Sequence, residues 1–158
     1  MTTEMEIEND IINFEEISLG RRLAKSLKSD IFFLLLIFLI ANAFLSFEQA
    51  LFYFGIIISL YIIEVSLWSR YYLIRIHFAK DRVYIKYRYF NRLHEINVNY
   101  EDLTIDKERV WYKRIAQYYL NFKLNGKSII RQHVFGKINS DFMDQLVNKY
   151  LALRSERR

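Results

Sequence analysis

The 158-residue chain contains no cysteine, no proline and only four glycines. The first absence excludes disulfides and thiolate metal sites and leaves the redox compartment unread. The other two argue against long flexible linkers. No low-complexity tract or internal repeat is visible. The opening residues, acidic from Glu4 to Glu16, lack the basic start of a signal or transit peptide. Charge is scarcest in the middle: between Ile31 and Trp68 the only formally charged residues are Glu48 and Glu64. From Arg70 onward the balance reverses, with 19 Lys and Arg against nine Asp and Glu. The overall net charge of +5 therefore hides an acidic front and a strongly basic C-terminal half.

The uncharged middle divides into two runs, residues 31–47 (IFFLLLIFLIANAFLSF) and 50–68 (ALFYFGIIISLYIIEVSLW), separated by Glu48 and Gln49. Both have the length of a transmembrane helix. A 158-residue protein has no core large enough to bury two such helices all round. A membrane hairpin is expected over residues 30–69. Arg21, Arg22, Lys25 and Lys28 precede the first run, Arg70 and Arg75 follow the second, and the connecting turn holds no Lys or Arg. The positive-inside rule then puts both termini in the cytoplasm, and the expected location is the cytoplasmic (inner) membrane, multi-pass. Trp68, Tyr71 and Tyr72 fall where an interfacial aromatic belt belongs. Glu64 and Asn42 are the polar residues to weigh in the spans. Glu64 lies one turn from Trp68 and Arg70, at headgroup depth, and Asn42 has the reach to hydrogen-bond the neighbouring helix.

Residues 1–29 read as an N-terminal helical segment, with helical spacing of Ile7, Ile11 and Phe14 and then of Leu19, Leu23 and Leu27. Gly20 marks a bend between the two sets, and the basic second half fits a helix lying in the interface. The acidic first half is left either solvated or in contact with the basic C-terminal domain.

After Arg70 the apolar period switches from 3.6 to 2. Tyr72, Ile74, Ile76 and Phe78 alternate with Tyr71, Leu73, Arg75 and His77. Val83, Ile85, Tyr87 and Tyr89 do the same, with turns at 79–81 and at Asn91-Arg92. Ile96, Val98 and Tyr100 predict a third strand, 103–106 a short fourth and 110–112 a further one. Tyr118, Leu120, Phe122 and Leu124 lead into Asn125-Gly126, the strongest hairpin signal in the chain, with 127–135 as its partner. A closing helix follows, capped by Asn139 or Ser140, with Phe142, Met143, Leu146, Val147, Tyr150 and Leu151 as its apolar face. The expected fold is a membrane α-helical hairpin plus an α+β cytoplasmic domain over 70–158. That domain is expected to be an antiparallel open barrel of six to seven strands closed by a C-terminal helix.

This order of elements, with the paired strands around Ala79 to Arg82, the stretch Ile96 to Tyr100-Glu101-Asp102-Leu103 and the terminal helix, resembles the bacterial pleckstrin-homology-like (PH-like) domains. The resemblance covers residues 71–153, and members with two N-terminal membrane helices are common. Inositol-lipid binding in eukaryotic relatives uses Lys, a spacer and a basic-x-Arg unit. Lys80 and Lys86-x-Arg88 match that spacing, but the short first turn lacks the loop that cradles a headgroup.

No Gly-rich phosphate loop, Ser/His/Asp order or paired carboxylate stands out, and His77, His94 and His133 lack metal-ligand spacing. The expectation is a non-enzymatic module without cofactor or metal and without nucleic acid as partner. It would act as a membrane-anchored scaffold or adaptor for a protein partner or a further copy of itself. Arg109, Trp111, Tyr112, Lys113 and Arg114 are the candidate partner-binding cluster, since aromatic residues and Arg are typical anchors. Arg75, Arg88 and Arg92 are the candidate contacts to lipid headgroups. The competing classes are an anionic-lipid or small-ligand sensor, and an accessory subunit of a transporter or channel that uses Glu64 and Asn42.

Overall fold

The computed structural model describes residues 10–112, 115–134 and 138–156. They form two compact units, one of residues Ile17–Arg70 and the other of the segments on either side of it.

The first unit is a helical hairpin of α1 (Leu19–Phe44) and α2 (Phe47–Trp68). At 1.5 Å per residue they measure about 39 and 33 Å, against a bilayer core of about 30 Å. Both are long and apolar enough to cross a membrane, and only 6% of each one's apolar window is buried. Phe32 and Phe44 are 86% and 84% exposed. The helices touch through Phe38, whose ring centroid lies 4.9 Å from Phe54 and 6.3 Å from Phe47, and around buried Leu34 and Ala50. Polar ties also join them. Tyr61 Oη donates to Asp30 Oδ2 at 2.5 Å, and the buried Arg22 guanidinium donates to the carbonyl of Ser69, the C-cap of α2. A cation there complements the negative end of the helix dipole.

Three details correct the sequence reading. The break lies at Leu45-Ser46, where Ser46 and Gln49 form a capping box, so Glu48 and Gln49 belong to the first turn of α2. Second, α1 runs unbroken from Leu19, capped by Ser18, with no bend at Gly20. Third, Asn42 is exposed on the hairpin.

The second unit holds two antiparallel sheets and a helix. Sheet A has the order β1-β2-β3-β4, made of β1 (Ile11–Asn13), β2 (Tyr71–Phe78), β3 (Arg82–Tyr89) and β4 (Arg92–Asn99). Sheet B has the order β5-β6-β7, made of β5 (Leu103–Tyr112), β6 (Ile115–Leu124) and β7 (Lys127–His133). The helix α3 (Ser140–Ser155) follows, with Asn139 as its cap: the Phe142 N–H donates to Asn139 Oδ1 at 2.8 Å.

One core joins all of these elements. It takes Ile12 and Phe14 from the N-terminal segment, Ile76, Phe78, Val83 and Ile85 from sheet A, and Leu103, Ile105, Leu120, Phe122 and Ile130 from sheet B. From α3 come Phe142, Met143, Leu146 and Tyr150, while Leu151 is exposed. Tyr150 seals the base of the core by donating to the Leu103 carbonyl. Where β2 and β7 meet, buried Gln132 accepts the Leu73 N–H at 3.0 Å through Oε1.

The alternation expected along β2 is interrupted by a bulge between Leu73 and Arg75. It carries Leu73 into the core, and with it the pairing Leu73↔Tyr87. The β3–β4 turn is Phe90-Asn91, with Phe90 at φ 53°, so Arg92 opens β4 and is not part of the turn. The two short strands expected over 103–112 are one ten-residue strand. Asn125 (φ 48°) and Gly126 (φ 78°) make the hairpin turn with the positive angles it demands.

The largest correction concerns the N-terminal segment. Ile11–Asn13 is a strand, paired Ile11↔His77, Ile12↔Ile76 and Asn13↔Arg75, within the helical segment expected over 1–29. From Leu19 onward that segment is helical, as part of α1, and residues 1–9 lie outside the described residues. The segment ahead of the apolar helices therefore supplies the first strand of sheet A, and the second unit begins well before residue 70.

Candidate functional site

Two surfaces of the second unit gather side chains with binding chemistry. The first is the far end of the β5–β6 hairpin. Because β5 and β6 pair without a register shift, Leu103, Ile105, Lys107, Arg109 and Trp111 share one face. The first two are buried in the core. Lys107 marks the edge of cover: its Nζ donates to Ser140 Oγ at 2.8 Å and pairs with Asp144 at 2.5 Å in the first turns of α3. Beyond it the same face runs on uncovered by any described residue, and Trp111 is 64% exposed. Its cross-strand partner is Ala116, too small to screen the indole. The Arg109 guanidinium stacks 4.4 Å from the Trp111 ring centroid and 6.0 Å from that of Tyr118, its own cross-strand partner. Such a cation over aromatic rings contributes about 0.5–1 kcal/mol at an exposed site and holds the three side chains as one ledge.

Of the expected partner-binding cluster, Arg109 and Trp111 are thus brought together. Tyr112 ends β5, with its side chain outside the described residues, as are Lys113 and Arg114. Tyr118 was missed. The strand pairing that sets it opposite Arg109 depends on where the turn falls, and no Gly or Asn marks a turn at 113–114.

The second surface is the outer face of sheet A. Arg75, His77, Tyr84, Lys86, Glu95 and Asn97 line a shallow groove of about 400 Å³. The cations in and beside it are largely engaged. Lys86 pairs with Glu95 at 2.8 Å, and Arg75 Nε donates to Asn13 Oδ1 at 2.6 Å. Arg88 pairs with Glu16, and Arg88 holds the Glu16 carboxyl below its ordinary value of 4.5 through that hydrogen bond and its charge. Asp10 lies 3.7 Å from Lys149 of α3. The acidic N-terminal segment therefore meets the basic half of the chain, the second of the two placements left open by the sequence. Of the expected headgroup contacts, Arg75 and Arg88 are tied to this segment, whereas Arg92 is exposed at the start of β4.

The histidines lie apart. His77 stacks on Tyr84 with centroids 5.7 Å apart, and His94 on Tyr87 at 5.3 Å. His133 meets Tyr119 edge-on at 5.0 Å, and burial lowers its pKa below 6.5. Among the described residues no three His, Asp or Glu side chains converge on a metal site.

The outer face of sheet B is self-compensated. Lys123 pairs with Asp106 and Arg131 with Glu108, each at 2.7 Å, and buried Asn121 donates to Glu108 and accepts from Ser128. Compared with family models, with curated proteins and with solved structures, the chain finds no match.

Proposed function

We propose that the chain is a non-enzymatic scaffold or adaptor anchored in the bacterial cytoplasmic membrane. In this reading α1 and α2 span the bilayer as a multi-pass hairpin with both termini in the cytoplasm. The second unit is a PH-like open barrel that presents a surface to a protein partner. The exposed apolar faces of the two helices support the anchor, because water would leave those faces unsatisfied. The basic residues at the N-terminal end of α1 and after α2 support the orientation. The four-plus-three strand order with a closing C-terminal helix supports the barrel reading.

The observation that carries the partner reading is the Arg109–Trp111–Tyr118 ledge. An exposed Trp held by an Arg, on a strand face that continues the core, has the chemistry of an interface anchor. The lipid-sensing alternative draws less support, since two of its three cations are already engaged by Asn13 and Glu16. In the transport alternative Asn42 would have to act on a second hairpin, because it is exposed on its own.

A photo-crosslinking amino acid at position 111 tests the proposal in cells. One discrete protein adduct is expected from position 111, lost in Arg109→Ala and absent when the probe sits at exposed Leu151. Adducts of equal yield from positions 111 and 151 would sink it.

A further inference from the structure

Among the described residues four strands end the two sheets: β1 and β4 in sheet A, β5 and β7 in sheet B. An open strand edge is a template for another strand, and proteins usually blunt it. Three of the four are blunted. β1 is three residues long. β5 carries Lys107 on its core-side face, tied to α3. β7 lies against β2 and is stitched there by Gln132.

β4 has neither the shortness of β1 nor the cover of β7, and the one charge on its core-side face, Arg92, stands exposed at its first residue. The strand is eight residues long, pairs with β3 from Arg92↔Tyr89 to Asn99↔Arg82 without a bulge, and contains no Pro, Gly or Lys. Six of its eight residues are exposed, Leu93 at 48%. Its core-side residues Ile96 and Val98 are only partly buried, left half-covered at the rim of the core.

We infer that β4 pairs antiparallel with β4 of a second copy of this chain, across a two-fold axis at Ile96. The sequence of the strand selects that register. Residues directly opposite in an antiparallel pair share a face, so the axis must pass through a residue. Two registers use nearly the whole strand, centred on Glu95 or on Ile96. The first sets Glu95 against its own copy, two like charges directly opposed, which destabilises a pair. The second sets Ile96 against Ile96, His94 against Val98, Glu95 against Asn97 and Leu93 against Asn99, with no like charges opposed. It also covers the half-buried Ile96 and Val98 and joins two four-stranded sheets into one of eight, an isologous contact that closes on itself. This interface does not depend on the Arg109–Trp111–Tyr118 ledge.

The absence of cysteine makes the test clean. Differently tagged Leu93→Cys and Asn99→Cys full-length chains are expressed alone and together, then mildly oxidised. In the Ile96 register positions 93 and 99 face each other, while each lies about 20 Å from its own copy, far outside disulfide reach. The expected result is a disulfide dimer carrying both tags, at least tenfold above either variant alone. Both side chains are exposed, so thermal midpoints equal to the parent's confirm that the variants fold. Equal crosslinking in all three samples, or none in the mixture, overturns the inference.

Discussion

The two units of this protein solve opposite problems with the same residue types. In the sheet unit, Phe, Leu, Ile and Tyr from six strands and α3 close on one another in a core whose residues are at most 8% exposed, with Ile96 and Val98 of β4 packed half-buried against it. In the hairpin, the same side chains point outward: Phe32, Phe44, Phe52 and Leu39 are among the most exposed large apolar side chains of the described residues. One unit obtains its apolar environment from itself, and the other must find it in its surroundings. Composition is blind to this difference. What separates the two is period, since alternation by two gives each strand one inward face, while an unbroken run gives a helix no polar face at all.

The largest expected effect breaks the first half of that comparison. Phe122 is fully buried between the sheets, so Phe122→Ala removes its packing and leaves a cavity, at a cost of about 3–5 kcal/mol. The thermal midpoint of the β-sheet circular dichroism signal should fall steeply while helical signal from the hairpin persists. A shift of only a degree or two would mean that the core is not shared as described.

The second prediction tests the other half. Leu39 lies in the apolar stretch of α1 and is 64% exposed. On a water-facing surface Leu39→Arg would be harmless. At the centre of a membrane span it costs about 2.5–3.5 kcal/mol. The fraction of chain that resists alkaline extraction from membranes should drop, with the β-sheet melting point unchanged. Full resistance in the variant would count against the membrane reading.

The same contrast explains how much was legible in the sequence. Helices declared by long apolar runs, strands declared by alternation and the Asn125-Gly126 turn all carry their signal locally. The errors fall where a local signal was overruled by a distant partner. Ile11 and Phe14 are spaced as on a helix, yet β2 offers an open edge to pair with and α3 a ring, Phe142, for Phe14 to pack against at 5.4 Å. Nothing within residues 10–16 announces a partner some sixty positions away. The bulge at Leu73 is likewise set by the strand opposite. Of the candidate site, Arg109 and Trp111 were visible as residue types. Tyr118 and the groove on sheet A needed the register.

The smallest effect concerns the seam between the acidic front and the basic half. Glu16 accepts from Arg88, and that hydrogen bond and the charge of Arg88 hold its carboxyl below the ordinary 4.5. A carboxyl depressed in the folded state adds stability that is present above 4.5 and is lost as pH falls through the folded value. The pair is exposed, so solvent screens it and the contribution is small. Ile12 and Phe14 in the core do most of the anchoring. In Glu16→Gln the thermal midpoint of the sheet unit should lie slightly below the parent's at neutral pH, and the two curves should converge as pH drops below 4.5. Curves that stay parallel down to pH 3 would show that Glu16 takes no part in holding the segment. The first strand of sheet A would then rest on burial, on its pairing with β2 and on the Asn13–Arg75 hydrogen bond.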